Sequence, residues 1–307
     1  MAQHDFISLQ KLSAVHARDV ANGYYKWFLF DQLYSASNPS SVYLWVFGVY
    51  FFWRSSNSAR YSDSARCSDS ARCSSETDYR PLVWMYAVPL ALFLALQGRG
   101  YYLAPAYPML IAGGAFYIGE QVRNLAPAQR HARYSWLYYS LVIGGLISVS
   151  LSMPVVPVNS FWWKFADSYH QLYREEIGWP ELVKTVADIR DTVPLEERSR
   201  LGILAGNYGE AGAINIYGPA YNLPHAISGI DSFWLWGYGD PPPETVIVLG
   251  LEPSYAASLF ETCSLAGIIS NPYGIQNEES QYHPDILLCR HLRQPWEQFW
   301  KDFQYFG

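Results

Sequence analysis

Four stretches in the first 164 residues of this chain carry no Asp, Glu, Lys or Arg. They lie between Asp31 and Arg54, Arg80 and Arg99, Arg99 and Glu120, and Arg133 and Lys164, and each is 18 to 30 residues long. A helix needs ~20 mostly apolar residues to cross a ~30 Å hydrocarbon layer. The spacing therefore predicts about four membrane-crossing helices, with apolar cores at 42–53, 82–96, 101–118 and 136–153. The last contains a Gly144-Gly145 pair suited to close helix packing. Trp45, Trp53, Trp84, Tyr101, Tyr102 and Trp136 fall near the ends of these cores, where interfacial aromatic residues collect.

Charge is divided unevenly along the chain. Residues 1–159 hold 12 Lys+Arg against 8 Asp+Glu, a net of +4, and residues 160–307 hold 9 against 19, a net of -10; together they make the overall -6. A basic, aromatic-rich half followed by an acidic half points to two environments and argues against nucleic acid as a partner. The expected fold class is a multi-pass α-helical membrane region followed by a soluble α/β domain. Residues 1–40 form an amphipathic external segment, 41–153 the helices with a loop at 54–80, and 160–307 the soluble domain. Arg54, Arg60, Arg66, Arg72 and Arg80 in one loop, and Arg123, Arg130 and Arg133 in another, place those loops in the cytoplasm and the acidic domain outside the cell (inner or plasma) membrane. Met1 is not followed by a basic and then apolar leader, so no cleavable signal peptide is expected.

Within the 54–80 loop, Ser-Ala-Arg-Tyr-Ser-Asp (58–63), Ser-Ala-Arg-Cys-Ser-Asp (64–69) and Ser-Ala-Arg-Cys-Ser-Ser (70–75) are near-copies of one unit. A polar, Ser-rich repeat cannot bury a core and is expected to be disordered. Cys67 and Cys73, six apart and without a neighbouring His, make a poor metal signature.

The acidic half reads as α/β. Apolar, β-branched runs at 201–205, 245–251 and 286–289 suggest buried strands. Helical spacing covers 179–192, 253–266 and an aromatic-rich 295–303. Helices between strands favour a partly parallel sheet. Cys263 and Cys289 are either a disulfide of an oxidising compartment or two separate buried thiols. Gly206, Gly209 and Gly212 follow a strand at G-x-x-G-x-x-G spacing, which differs from the dinucleotide pattern and reads as a tight turn or a sugar or anion contact.

The run Gly98-Arg99-Gly100-Tyr101-Tyr102-Leu103-Ala104-Pro105-Ala106-Tyr107-Pro108-Met109-Leu110 resembles the membrane segment of dolichyl-phosphate-mannose–protein mannosyltransferase-like enzymes. These form glycosyltransferase family 39 of the GT-C superfamily. Residues 7–32, with His16-Ala17-Arg18-Asp19 and Asp31-Gln32, extend the likeness, as do Asn207-Tyr208-Gly209-Glu210-Ala211-Gly212, Ser232-Phe233-Trp234-Leu235-Trp236-Gly237 and Leu288-Cys289-Arg290. The resemblance is to a bacterial branch of that family and covers almost the whole chain. It implies a multi-pass enzyme that transfers a sugar from a polyprenyl-phosphate donor to a glycan, lipid or protein acceptor on the outer face, with neither cofactor nor metal assigned. Such enzymes carry several further helices and an acidic catalytic loop before the region where this chain begins, so a C-terminal portion is expected and the family's catalytic base is missing.

Among the residues present, Arg99 suits the departing lipid phosphate: a guanidinium flanked by two glycines just before a helix N-terminus is an anion site. Tyr101 and Tyr102 are placed to help it. His16, Arg18 and Glu210 are candidate substrate contacts, and Asp5 and Asp19 are the carboxylates left as weak candidates for a base. Two other readings stay open: a non-catalytic membrane-anchored module whose α/β domain binds glycan or protein, and an inactive remnant.

Overall fold

The structure, a computed structural model, describes residues 7–34, 39–55, 78–170 and 172–306. Asp5, the hexapeptide repeat, Cys67 and Cys73 lie outside the described residues. The chain divides into two compact units: Leu12–Met153, and Pro154–Gly307 together with Met1–Lys11.

The first unit is helical: α1 (Ile7–Ala21), α2 (Phe28–Tyr34), α3 (Val42–Ser55), α4 (Arg80–Ala95), α5 (Tyr107–Arg123) and α6 (Pro127–Ser152). These helices correct the expectation of four membrane crossings. Among the described residues only α6 is both long and apolar enough to span a bilayer. At ~1.5 Å per residue, the 14 residues of α3, 16 of α4 and 17 of α5 reach only ~21 to ~26 Å, short of the ~30 Å required. The missing length went into other backbone forms. The expected core at 101–118 begins as a 3₁₀ turn, Gly100–Ala106, and becomes α-helix only at Tyr107; Pro105 and Pro108 supply no N–H to continue a ladder upstream. Freedom from charge is thus a weaker condition than continuous helix.

Helices α3 and α5 pack through glycines. A β-carbon on Gly48 would collide with the Leu110 carbonyl oxygen, and one on Gly114 with the Leu44 carbonyl oxygen, while Gly113 sits under the Phe52 ring. Two backbones approach this closely only where side chains are absent. Around the crossing, Phe28, Phe52, Val83, Tyr86, Leu103, Tyr107 and Leu110 form the buried core.

The second unit is α/β, comprising α7 (Phe161–His170), α8 (Leu172–Glu175), α9 (Trp179–Thr192), α10 (Leu195–Arg198), β1 (Leu201–Ala205), α11 (Tyr208–Tyr217), β2 (Ala226–Ile227), β3 (Thr245–Leu249), α12 (Pro253–Leu259), β4 (Phe260–Ile268), α13 (Glu278–Tyr282), β5 (Asp285–Leu292) and α14 (Trp296–Asp302). The sheet order is β2-β1-β3-β5-β4. Strand β1 runs parallel to β2 and β3, and β5 runs antiparallel to β3 and β4. Every residue of β1 and β3 is buried, as strands covered on both faces require. Alternation splits them: Ile203, Ile247 and Leu249 join Leu182, Val186 and Ile214 in one core layer. Leu204, Val246 and Val248 face the other layer, with Trp296, Phe299 and Phe303. The helix expected over 253–266 stops at Leu259, and its second half is the edge strand β4. There Cys263 pairs in register with Cys289 of β5, and the two form a disulfide with S–S 2.05 Å.

Gly48→Ala should lower the unfolding free energy of the helical unit by about 1–3 kcal/mol through overpacking. Gly119→Ala, where a β-carbon would meet nothing within 4 Å, should raise it by ~0.5–1 kcal/mol. Thermal unfolding of the two variants side by side tests this.

Candidate functional site

In the helical unit, the loop before the 3₁₀ turn is fixed from below by one buried amide. Gln32 donates through Nε2 to the Phe28 carbonyl (2.9 Å) and the Gly100 carbonyl (3.0 Å), and its Oε1 accepts from the Tyr107 hydroxyl (2.6 Å). Gly100 lies so close over Asp31 and Gln32 that no β-carbon fits there. Burial pushes the Asp31 carboxyl above its ordinary value. Immediately before Gly100, Arg99 turns its guanidinium onto Asp19 of α1, donating from Nε to Oδ2 and from Nη2 to Oδ1, both at 2.5 Å. Its Nη1 donates to the Tyr101 hydroxyl at 3.3 Å, and its plane lies 5.1 Å from the centre of the Tyr24 ring. Arg18 approaches the same carboxylate at 3.6 Å.

A two-point Arg–carboxylate pair fixes direction as well as charge. Hydrogen bonding to Arg99 holds the buried Asp19 carboxyl below its ordinary value, and the same bond holds the Arg99 proton more tightly than usual. Asp19 is accordingly a poor proton acceptor and an effective anchor for the guanidinium. Of the five Arg99 N–H groups, Asp19 and Tyr101 take three, leaving two for an anion. Arg99, Tyr101, Asp19 and Arg18 thus meet in one place. Tyr102 meets Tyr101 edge-on and Phe93 at a tilt, with ring centres 4.8 and 5.6 Å away, and His16 is exposed on α1.

In the α/β unit, Gly206 and Gly250 directly follow the parallel strands β1 and β3, the strand ends at which open α/β sheets place ligands. The turn reading of Gly206–Gly212 is correct at its first step. Asn207 caps α11 by accepting from the Glu210 amide at 2.9 Å. Glu210 is fully buried and accepts from the Gly206 N–H at 3.1 Å, while its Oε1 has no hydrogen-bond partner. A side chain on Gly250, which adopts φ +65°, would run into this carboxylate. Burial, then repulsion from Glu279, pushes Glu210 up to about 8. Glu279 is itself nearly buried, and burial is the main reason its carboxyl is raised. Its Oε1 accepts from Asn207 Nδ2 at 3.0 Å and its Oε2 has no partner. Asn207, Glu252, Glu278, Glu279, Tyr282 and His283 line a cavity of ≈ 390 Å³ beside it. Among the described residues no three His, Cys, Asp or Glu side chains converge to hold a metal.

Sequence reasoning missed Tyr24 and Glu279. The first lies within the 7–32 segment but between its two singled-out motifs, His16–Asp19 and Asp31-Gln32. The second follows Asn277, which caps α13 by accepting from the Ser280 amide at 3.0 Å, but its approach to Glu210 spans 69 residues and leaves no local signal. No family model, curated protein or solved structure matches this chain, so the likeness to glycosyltransferase family 39 rests on the sequence motifs.

Glu210 loses its proton near the ordinary 4.5 when unfolded and near about 8 when folded. The folded state therefore binds the proton more tightly, and stability falls as pH rises across that window. Glu210→Gln should match the parent at pH 4 and exceed it at pH 8 by a few kcal/mol, at ~1.4 kcal/mol per pKa unit; unfolding midpoints at the two pH values decide it.

Proposed function

We propose that this chain acts in sugar transfer from a polyprenyl-phosphate donor at a membrane surface, with Arg99 as the phosphate-binding residue. The observation that carries the reading is the meeting of two segments that resemble the family independently. His16–Asp19 and Gly98–Tyr102 are about 80 residues apart in sequence, yet Asp19 orients the Arg99 guanidinium through two hydrogen bonds. A charge oriented before the ligand arrives needs no reorganisation as the phosphate departs. In this reading Tyr101 shares the phosphate and Tyr102 packs on prenyl carbons. Helix α6 supports a membrane location: an 18-residue window within its 26 residues is apolar, and only 6% of that window is buried. The Cys263–Cys289 disulfide supports placing the α/β unit in an oxidising, extracytoplasmic compartment. The acceptor is a glycan, lipid or protein hydroxyl.

The test is transfer from a radiolabelled polyprenyl-phosphate sugar by the full chain in lipid nanodiscs. Arg99→Ala should lower the rate by ~10²-fold or more, the scale of a lost charge-stabilising donor. Because Arg99→Ala leaves a buried carboxylate unpaired, the Asp19→Asn/Arg99→Ala double variant is measured beside it. Full activity in the double variant would leave Arg99 with a structural role only, and absence of transfer by the parent chain would overturn the reading.

A further inference from the structure

Helix α7 turns an unusual face outward. At ~100° per residue, Trp163, Ala166 and Asp167 fall on one side and are buried, while Phe161, Lys164, Phe165 and Ser168 fall on the opposite side and are exposed. The inward side is engaged by α8. Arg174 donates through Nη2 to Asp167 Oδ2 at 2.5 Å, and the Trp163 ring centre lies 6.3 Å from that of Tyr173. A helix side turned to water is normally charged or polar. Here Phe161 is 84% exposed, more than any other large apolar side chain among the described residues. Phe165 is 48% exposed, and its ring centre lies 5.3 Å from that of Trp162. The chain leading into α7 has the same character. Residues 153–160 join α6 to α7, and Met153-Pro154-Val155-Val156-Pro157-Val158 contain no polar side chain. Met153 and Val155 are more than half exposed, whereas loops in water are built from polar residues. The charge-free run that begins after Arg133 ends only at Lys164, in the first turn of α7.

We propose that α7 is an interfacial helix, laying Phe161 and Phe165 into the boundary between headgroups and acyl chains of the bilayer that α6 crosses. A helix with aromatic residues on one face and a polar opposite side lies in the plane of such a boundary. Trp162 at the flank of the Phe pair is a residue type that collects there. Lys164 rests its stem along the Phe rings and lifts its ammonium to the lipid phosphates. The link of eight residues spans only ~30 Å at full stretch, so α7 begins close to where α6 ends. Charge selects the kind of surface. Residues 160–307 carry a net of -10, so an anionic surface repels them, and burial of aromatic area supplies the attraction. The surface is accordingly one of neutral phospholipid. A second copy of this chain would cover the Phe rings without accounting for the apolar link. The inference rests on the membrane placement of α6 proposed above.

The experiment uses the full chain in phosphatidylcholine nanodiscs, carrying Cys67→Ser and Cys73→Ser so that one introduced cysteine bears a fluorophore. Ser168→Cys reports on the outward face of α7, and Ile147→Cys, at a half-exposed position of α6, reports on the bilayer interior. Lipids with a nitroxide near the headgroup should quench the fluorophore at 168, and lipids with a nitroxide deep in the acyl chain should quench the one at 147. Phe161→Ser/Phe165→Ser changes only exposed positions and leaves Trp163, Ala166 and Asp167 packed. It should abolish quenching at 168 and leave that at 147 unchanged. Quenching at 147 without quenching at 168 would overturn the interfacial helix and leave the membrane placement of α6 standing, whereas quenching at neither would overturn both. Quenching at 168 that persists in the double variant would show that the aromatic face does not hold the helix there, and would also overturn the assignment.

Discussion

Gln32 has two N–H donors and an oxygen acceptor, and in the interior of the helical unit each of the three is used. One donor closes on its own helix at Phe28, the other reaches the Gly100 carbonyl, and the oxygen receives the Tyr107 hydroxyl. A buried amide left with an open valence costs about 1–3 kcal/mol, so the three partners hold each other in place. The turn at Gly100 is thereby tied to α2 on one side and α5 on the other. Arg99 is the residue just before that turn, and its reach to Asp19 follows from where Gly100 is held.

The two units use opposite solutions to packing. In the helical one, glycines at 48 and 114 let two backbones touch, and large aromatics fill the remaining space around the crossing. In the α/β one, two fully buried parallel strands are sandwiched between helices, and the polar groups cluster where those strands end. Both candidate sites lie at breaks in regular structure: a 3₁₀ turn in one case, two post-strand glycines in the other. Backbone N–H and C=O groups come free at such places, and side chains of distant residues meet them.

Much of the α/β unit was legible in the sequence. Strands β1 and β3 are short, apolar runs because both faces are covered, and α9 shows its buried stripe at Leu182, Val186 and Ile189. Strand β4 was not. Leu259, Cys263 and Ala266 fall at helical spacing, and only pairing with β5 decides in favour of a strand. The helical unit was misread for a different reason. Charge-free runs mark what a segment lacks, whereas a crossing also needs unbroken helix, and Gly100, Pro105 and Pro108 interrupt one run at its start. At the sites, Arg99, Asp19 and Glu210 could be singled out from local motifs, but the pairing of Arg99 with Asp19 and of Glu210 with Glu279 could not, since the fold brings these together across 80 and 69 residues.

The sheet ends at β4, a nine-residue strand with one side unpaired and with Leu265 and Ile268 largely exposed. Such a border is a template on which another chain's strand can grow. Because Cys263 is tied to its opposite number in β5, the strand cannot slide by a residue or peel away to recruit a neighbour. The crosslink therefore guards solubility as much as stability: a molecule made where thiols stay reduced would keep its core but would have a border free to fray, self-associate and be cut.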